Sequence, residues 1–348
     1  MSSAKVAVLG ASGYSGIELL RILLRHPRAE LVCLTSRQYA GRPLSEIFPR
    51  FAQSGPAASL SFIAPDPDAI AATGADTAFL ALPHGVAHEY APALLERGLR
   101  VIDLSADFRL DDPATYEEFY DHPHPAPHLL SEAVYGLPEM NAEAIRTARL
   151  IAAPGCYPTS MLLPLLPLLQ RRLIQPQSIC VFSMSGVSGA GRKESIPLLF
   201  CECNESVRAY SVPRHRHLSE VEQELSKAAG STVRITFTPH LIPVTAGICT
   251  TIYCAPTEGT TAASVTAALH DAYQHAPFVR LRGTNACPDT KDVVRTNFID
   301  IGWAHDTRTG RVILMSAEDN LWKGAASQAV QCFNLVKQFP EAAGLQSL

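Results

Sequence analysis

The sequence predicts an α/β protein in three parts. These are a doubly wound, parallel-sheet domain over residues 1–154, an α+β domain over 155–318, and a C-terminal segment, 319–348, whose helix returns to the first domain. Three observations carry this reading. A buried-strand pattern, a glycine-rich turn and an amphipathic helix follow one another at the start of the chain. Strand-like and helix-like stretches then alternate as far as Ser105, as expected for parallel strands joined by crossover helices. After "RLIA", Arg149–Ala152, the alternation breaks at "APGCYPTS", Ala153–Ser160, and a long apolar helix begins.

Composition sets the class. At 348 residues, 47% apolar and 18% charged, the chain has the balance of a soluble globular protein with room for two cores. A net charge of −4 without a dense Lys/Arg run argues against a nucleic-acid partner. The opening "MSSAKVAVLGASG" enters a strand directly, and no stretch reaches about 18 uninterrupted apolar residues, so no membrane partner and a cytoplasmic setting are expected. Nine cysteines without CxxC spacing give no support to a disulfide framework or a metal site; "CEC" at Cys201–Cys203 reads as incidental thiols in a reducing compartment.

The first strand is "KVAVLG", Lys5–Gly10, and the first helix "GIELLRILLRH", Gly16–His26. Between them, Gly10, Ser12, Gly13, Tyr14, Ser15 and Gly16 form a GxxGxxG turn whose backbone N–H groups, at a helix start, suit a pyrophosphate. This is the cradle of a Rossmann-type dinucleotide-binding unit. The second strand, "AELVCLTSR", ends in Thr35, Ser36 and Arg37, where NAD-preferring sites carry an Asp or Glu. A hydroxyl and a guanidinium suit a 2′-phosphate instead, so the expected cofactor is NADPH/NADP. "DTAFLALP", "GVAHEYAPALLERG" and "LRVIDLS" continue the alternation. The segments after two of these strands, Leu82–Gly85 with Pro83 and Leu104–Arg109 with Ser105, fall where open α/β sheets place ligands. "DHPHPAPH", Asp121–His128, reads as a rigid solvated loop, since its prolines prevent the three histidines from being presented together.

In the second domain "YPTSMLLPLLPLLQRRL" reads as a helix with Pro158 in its first turn, to be kinked by Pro164 and Pro167. Cys156 then stands at a helix N-terminus, where the dipole and unpaired N–H groups favour a thiolate. A nucleophilic thiol beside a nicotinamide cofactor implies thioester redox chemistry and requires an acid/base. "VPRHRHLSEVEQEL" offers His215 and His217, which spacing alone does not separate. Ser219 and Glu222 have capping-box spacing, which would place His217 just outside a fixed helix start. Groups able to clamp a phosphate are Arg109, oriented by Asp107, and the loop "SGVSGAGR" with Ser185, Gly186 and Arg192; the choice of main clamp stays open.

Nine blocks in order, "GASGYSG", "SR" followed by "AG", "LSADFR", "YGLPE", "PGCYPT", "SGVSGAGR", "HRHLSEVEQEL", "FTPHLIPVTAGI" and "DNLWKGAASQAVQ", resemble the N-acetyl-gamma-glutamyl-phosphate reductase family, related to the aspartate-semialdehyde dehydrogenases. The resemblance spans the first strand to the last helix. It implies NADPH-dependent reduction of an acyl phosphate to an aldehyde in arginine biosynthesis, with Cys156 as nucleophile and His217 as acid/base. It also implies a small-molecule acyl phosphate substrate, a second domain that is catalytic and dimerising, a homodimer or homotetramer, and Asn320 reaching the carboxamide end of the cofactor. Two positions depart from the family: Ser219 where proline is common, and Ala246 where arginine is frequent. A reductase of an aminoadipyl-type acyl phosphate, in lysine biosynthesis, is the alternative within enzymes. An NADP-binding sensor without turnover is the alternative outside them.

Overall fold

The computed structural model describes residues 3–192 and 194–346. Its strands are β1 Ala4–Leu9, β2 Ala29–Thr35, β3 Phe62–Ile63, β4 Thr77–Leu80, β5 Arg100–Asp103, β6 Ala133–Tyr135, β7 Leu150–Ala152, β8 Cys180–Ser185, β9 Arg208–Ala209, β10 Thr236–Leu241, β11 Ile248–Cys254, β12 Val279–Thr284, β13 Ile299–Asp306 and β14 Arg311–Glu318. The α-helices are α1 Tyr14–Leu23, α2 Leu44–Ile47, α3 Pro67–Ala72, α4 Ala91–Glu96, α5 Pro113–Tyr120, α6 Pro138–Thr147, α7 Cys156–Gln170, α8 Phe200–Cys203, α9 His217–Ala229, α10 Ala262–Tyr273 and α11 Ser327–Val336. Two compact units result: residues up to Glu117 with His122–Pro154 and Ala325 onward, and Glu118–Asp121 with Gly155–Gly324.

The first unit is built on a parallel sheet in the order β3-β2-β1-β4-β5-β7-β6. Apolar runs such as Val6–Leu9 and Thr77–Leu80 are buried along their length, as parallel strands covered on both faces require. The chain returns to this unit through α11, which packs beside α1 and α6. Its Phe333 ring lies 5.7 Å from those of Phe79 and His26, and the His26 ring bonds Asn334 at 2.9 Å.

The second unit is a mixed sheet, β12-β13-β14-β11-β8-β10-β9, with β12 and β13 parallel, β8 and β10 parallel, and the other pairs antiparallel. Against one face lies α7, buried nearly throughout its 15 residues. The expected kinks at Pro164 and Pro167 do not interrupt it. Each proline deprives the carbonyl four residues earlier of its helical donor, and other side chains supply the bond. The Ser316 hydroxyl donates to the Ser160 carbonyl at 2.7 Å, and the Tyr273 hydroxyl to the Leu163 carbonyl at 2.5 Å. The Ser160 hydroxyl continues inward, through Thr250 to Ser183, at 2.8 Å per link.

A stability prediction follows. Tyr273→Phe leaves a buried carbonyl unsatisfied and is expected to cost about 1–3 kcal/mol in denaturant unfolding. Pro167→Ala restores an N–H opposite Leu163, so in that background the same substitution should cost clearly less. Equal cost in both backgrounds would show that the hydroxyl does not serve this carbonyl.

Candidate active site

In the first unit the glycine turn has the shape a phosphate cradle needs. Gly10 holds φ at +74°, and a Cβ there would collide with the Ala81 carbonyl oxygen. A Cβ on Gly16 would lie 2.7 Å from the Ala11 Cα, so both glycines are required for the helix to approach the strand. Gly13 is the N-cap of α1 and has no side chain with which to cap it. The turn N–H groups of Tyr14, Ser15 and Gly16 thus start a helix that no side chain closes off, a fit for an anionic dinucleotide. Ser12 and Ser36 bring their hydroxyls to 3.4 Å, joining this turn to the end of β2. Arg37, largely exposed, rests on Glu89 at 2.9 Å and the Tyr90 hydroxyl at 2.8 Å. Pro83 is exposed beyond β4, and its neighbour Leu82 packs on Gly10.

Ser105, Arg109 and His124 are each tied into the first unit. Ser105 is fully buried, and its N–H and hydroxyl both donate to Asp103, at 2.9 and 2.7 Å. It closes a turn at the end of β5. Burial and the neighbouring Asp107 in turn push the Asp103 carboxyl above the usual carboxylate range. Arg109 is 5% exposed and donates to the carbonyls of Ala153 at 2.8 Å and Leu104 at 2.9 Å. Asp107 does not orient it, since the Asp107 carboxylate takes the N–H groups of Gly85 and His88. The two Arg109 bonds pin the loop to the end of β7 and to the Leu104 carbonyl. The histidine segment is largely exposed, as expected, with His124 and Ala126 as its buried residues. His124 is buried against Tyr116 at 4.6 Å and bonds the Asp107 carbonyl, and among the described residues no cluster suits a metal.

In the second unit two helix starts meet. Cys156 is the first residue of α7, with Gly155 as N-cap, and His217 is the first residue of α9, the helix that packs beside α7. The Glu220 carboxylate, one turn into α9, accepts the Gly155 N–H at 2.9 Å. The Tyr157 ring contacts both histidines, at 5.4 Å from His215 and 5.9 Å from His217. On another side a Cβ on Gly324 would lie 2.7 Å from the Cys156 Cβ and 3.0 Å from a carboxylate oxygen of the fully buried Glu318. The second compact unit runs to Gly324. A π-helical turn, Trp322–Ala326, leads from there into α11.

The structure separates the two histidines. His215 accepts the His217 N–H on its Nδ1 at 3.1 Å, and burial, with the Arg216 charge, pushes its ring down to about 4. It is a neutral cap on α9. His217 sets its ring against those of Tyr157 and His215, at 5.9 and 4.9 Å. The capping box, in contrast, does not form: Ser219 donates to the Arg216 carbonyl, while Glu222 holds Ile235 N–H and Arg234 across the unit. Its spacing was correct, but long-range partners claimed the carboxylate.

The Ser185–Arg192 loop is laced to the turn at Val244–Gly247 by Gly186, Val187 and Ser188 N–H groups, at 2.9, 2.9 and 3.0 Å. Gly186 is needed there because a Cβ would lie 2.8 Å from the Ala246 backbone. The Ser185 hydroxyl donates to the Gly186 carbonyl, and Arg192 is exposed at the loop's far end. Asn320 ties the two strands of this lacing, accepting Gly247 N–H at 2.8 Å and donating to Ser188 at 3.0 Å. Sequence reasoning missed Glu220, Glu318 and Gly324. Only Glu220 left a signal, lying on the same helical face as His217.

A parallel-sheet unit with a dinucleotide cradle, followed by a mixed-sheet unit with cysteine and histidine at adjoining helix starts, defines the semialdehyde dehydrogenase class of oxidoreductase. Family models described as "Semialdehyde dehydrogenase, NAD binding domain" and "Semialdehyde dehydrogenase, dimerisation domain" match residues 5–148 and 156–320. The chain is 63% identical to the N-acetyl-gamma-glutamyl-phosphate reductase of Akkermansia muciniphila over 99% of both chains, and 50% identical to that of Geobacter metallireducens over 99% of this chain and 98% of the other. It belongs to the N-acetyl-gamma-glutamyl-phosphate reductase family. The fold is also that of the aspartate semialdehyde dehydrogenase II of Vibrio cholerae, at a TM-score of 0.72 and 19% identity over 97% of this chain and 99% of that one.

Proposed function

We propose that this chain reduces N-acetyl-L-glutamyl 5-phosphate to N-acetyl-L-glutamate 5-semialdehyde, with release of phosphate and oxidation of NADPH, through a thioester on Cys156. The observation that carries the mechanism is the meeting of the α7 and α9 starts, tied by the Glu220–Gly155 bond, with Cys156 on one and His217 on the other. A helix N-terminus favours an anionic sulfur. His217 takes the thiol proton as the C–S bond forms on the acyl carbon and phosphate leaves. Gly10–Gly16, with Ser36 and Arg37 toward a 2′-phosphate, would hold NADPH, which would supply the hydride for reduction of the thioester. The tetrahedral adduct then collapses, the C–S bond breaks, and His217 returns the proton as the aldehyde departs. Arg109, Arg192 and the laced Ser185–Gly186 loop are the candidates for the phosphate.

Assembly as a homodimer or homotetramer belongs to the same reading, supported by the dimerisation-domain match. So does a reducing, cytoplasmic setting, supported by nine cysteines that are all free thiols. The test is the reverse reaction. NADP reduction should require both N-acetylglutamate semialdehyde and inorganic phosphate, and phosphate-independent turnover would overturn the acyl phosphate assignment.

The cofactor preference gives a second test. Arg37→Ala should raise the NADPH KM about tenfold or more while leaving the NADH KM nearly unchanged, because only NADPH offers a phosphate to the guanidinium. Glu89 and Tyr90 must release Arg37 for this, which keeps the expected effect at the lower end. Equal effects on both cofactors would make Arg37 a surface tie.

A further inference from the structure

The mechanism above gives the buried carboxylate of Glu220 no proton to move. We infer that Glu220 is a positioning residue, which sets the approach of Cys156 to His217 by locking the start of α7 to the start of α9. Glu220 is 2% exposed and lies three residues after His217, on the same face of α9. Its oxygen takes the N–H of Gly155, the residue directly before the thiol. The Gly155 carbonyl is held from the other direction, by the Thr159 N–H and hydroxyl, both at 3.1 Å. The residue before Cys156 is therefore fixed at its N–H by α9 and at its carbonyl by the first turn of α7. Gly155 has no side chain to cap its own helix. The acceptor from α9 is what ties this end of α7 to the helix that carries the imidazole.

The proposal makes the oxygen that accepts the Gly155 N–H the working part. Ionisable groups near Cys156 and His217 include Tyr157 on α7, Tyr210 and His215 on the chain before α9, and Glu318 on β14. None of these bonds Gly155 in place of Glu220. Glu220→Gln keeps an oxygen at the same reach without charge. Glu220→Asp keeps the charge but withdraws the oxygen by one methylene, and Glu220→Ala removes both.

The inference rests on Cys156 being the nucleophile, so it is tested with two readouts in the full-length enzyme. The first is kcat and KM for the acyl phosphate reaction. The second is the rate at which iodoacetamide captures Cys156, followed by peptide mass spectrometry without substrate. Glu220→Ala and Glu220→Asp are expected to lose about 10²-fold in kcat with much smaller changes in KM, as a displacement near 1 Å would produce. Capture of Cys156 should slow in both. Glu220→Gln should recover most of both losses. All variants are measured below their melting temperatures. If alanine fails to fold, the aspartate and glutamine variants decide. Parental kcat and capture rate in the aspartate variant, or a glutamine variant as impaired as aspartate, would overturn the proposal. A parent enzyme in which Cys156 is not preferentially captured would instead overturn the thioester reading itself.

Discussion

Cys156→Ser is expected to abolish turnover while NADPH binding stays near the parental level. A hydroxyl at the same helix start remains protonated near neutral pH, so no thioester forms. None of the other thiols can substitute. Burial pushes Cys33 up to about 11 and Cys254 up to about 12, and raises Cys249 as well. Cys180, Cys201 and Cys287 are exposed, but none begins a long helix beside an imidazole. In the parent enzyme, iodoacetamide should therefore modify Cys156 before these three exposed thiols, despite its partial burial. Steady-state kinetics on the serine variant and fluorescence titration of NADPH give the two halves of the result. Turnover above about a thousandth of the parental rate would sink the thioester mechanism, since triad-type nucleophile losses run to 10⁴ and beyond.

His217→Asn is expected to reduce the chemical step by about 10² to 10⁴, with little change in substrate or cofactor binding. His215→Asn should do far less to kcat, because an asparagine oxygen at the δ position can still accept the His217 N–H. It should instead change the dependence of stability on pH. The folded protein holds His215 neutral, with its ring pushed down to about 4 from the 6.5 of a free histidine. The fold is therefore favoured above about pH 6.5, and that advantage is lost as pH falls from there towards 4. Melting temperatures taken across this window should drop less steeply in His215→Asn than in the parent. A larger kcat loss at His215 than at His217 would reverse the assignment of the imidazoles.

Much of the first unit could be read from sequence because its signals are local. "KVAVLG", the glycine turn and "AELVCLTSR" each fold as their own periodicity dictates, and they became β1, the cradle and β2. Cys156 was legible for the same reason, since Gly155 and Pro158 bracket a helix start. The failures share another cause. Glu222 has capping spacing, yet its carboxylate went to Ile235 and Arg234, thirteen and twelve residues on. Arg109 was legible as a cation beyond a strand end, but its bonds to the Ala153 and Leu104 carbonyls were not. His124 lay in a proline-rich stretch that reads as exposed, but Tyr116 and Phe108 cover its ring. In each case the partner was distant in sequence or was a backbone oxygen, and side-chain spacing records neither.

The two prolines of α7 carry a consequence for motion. A helix with a complete hydrogen-bond ladder offers its neighbours a smooth cylinder that can turn about its own axis. In α7 the Ser160 and Leu163 carbonyls are instead gripped from outside, one by β14 through Ser316 and the other by α10 through Tyr273. Two such grips on nearby turns act as keys that oppose both rolling and sliding. An atom about 3 Å from a helix axis moves about 1 Å when the helix rolls by about 20°. Misalignment of that size at a reacting centre can cost about a hundredfold in rate. The prolines thereby convert a packing helix into a torsionally fixed mount for the sulfur at its end.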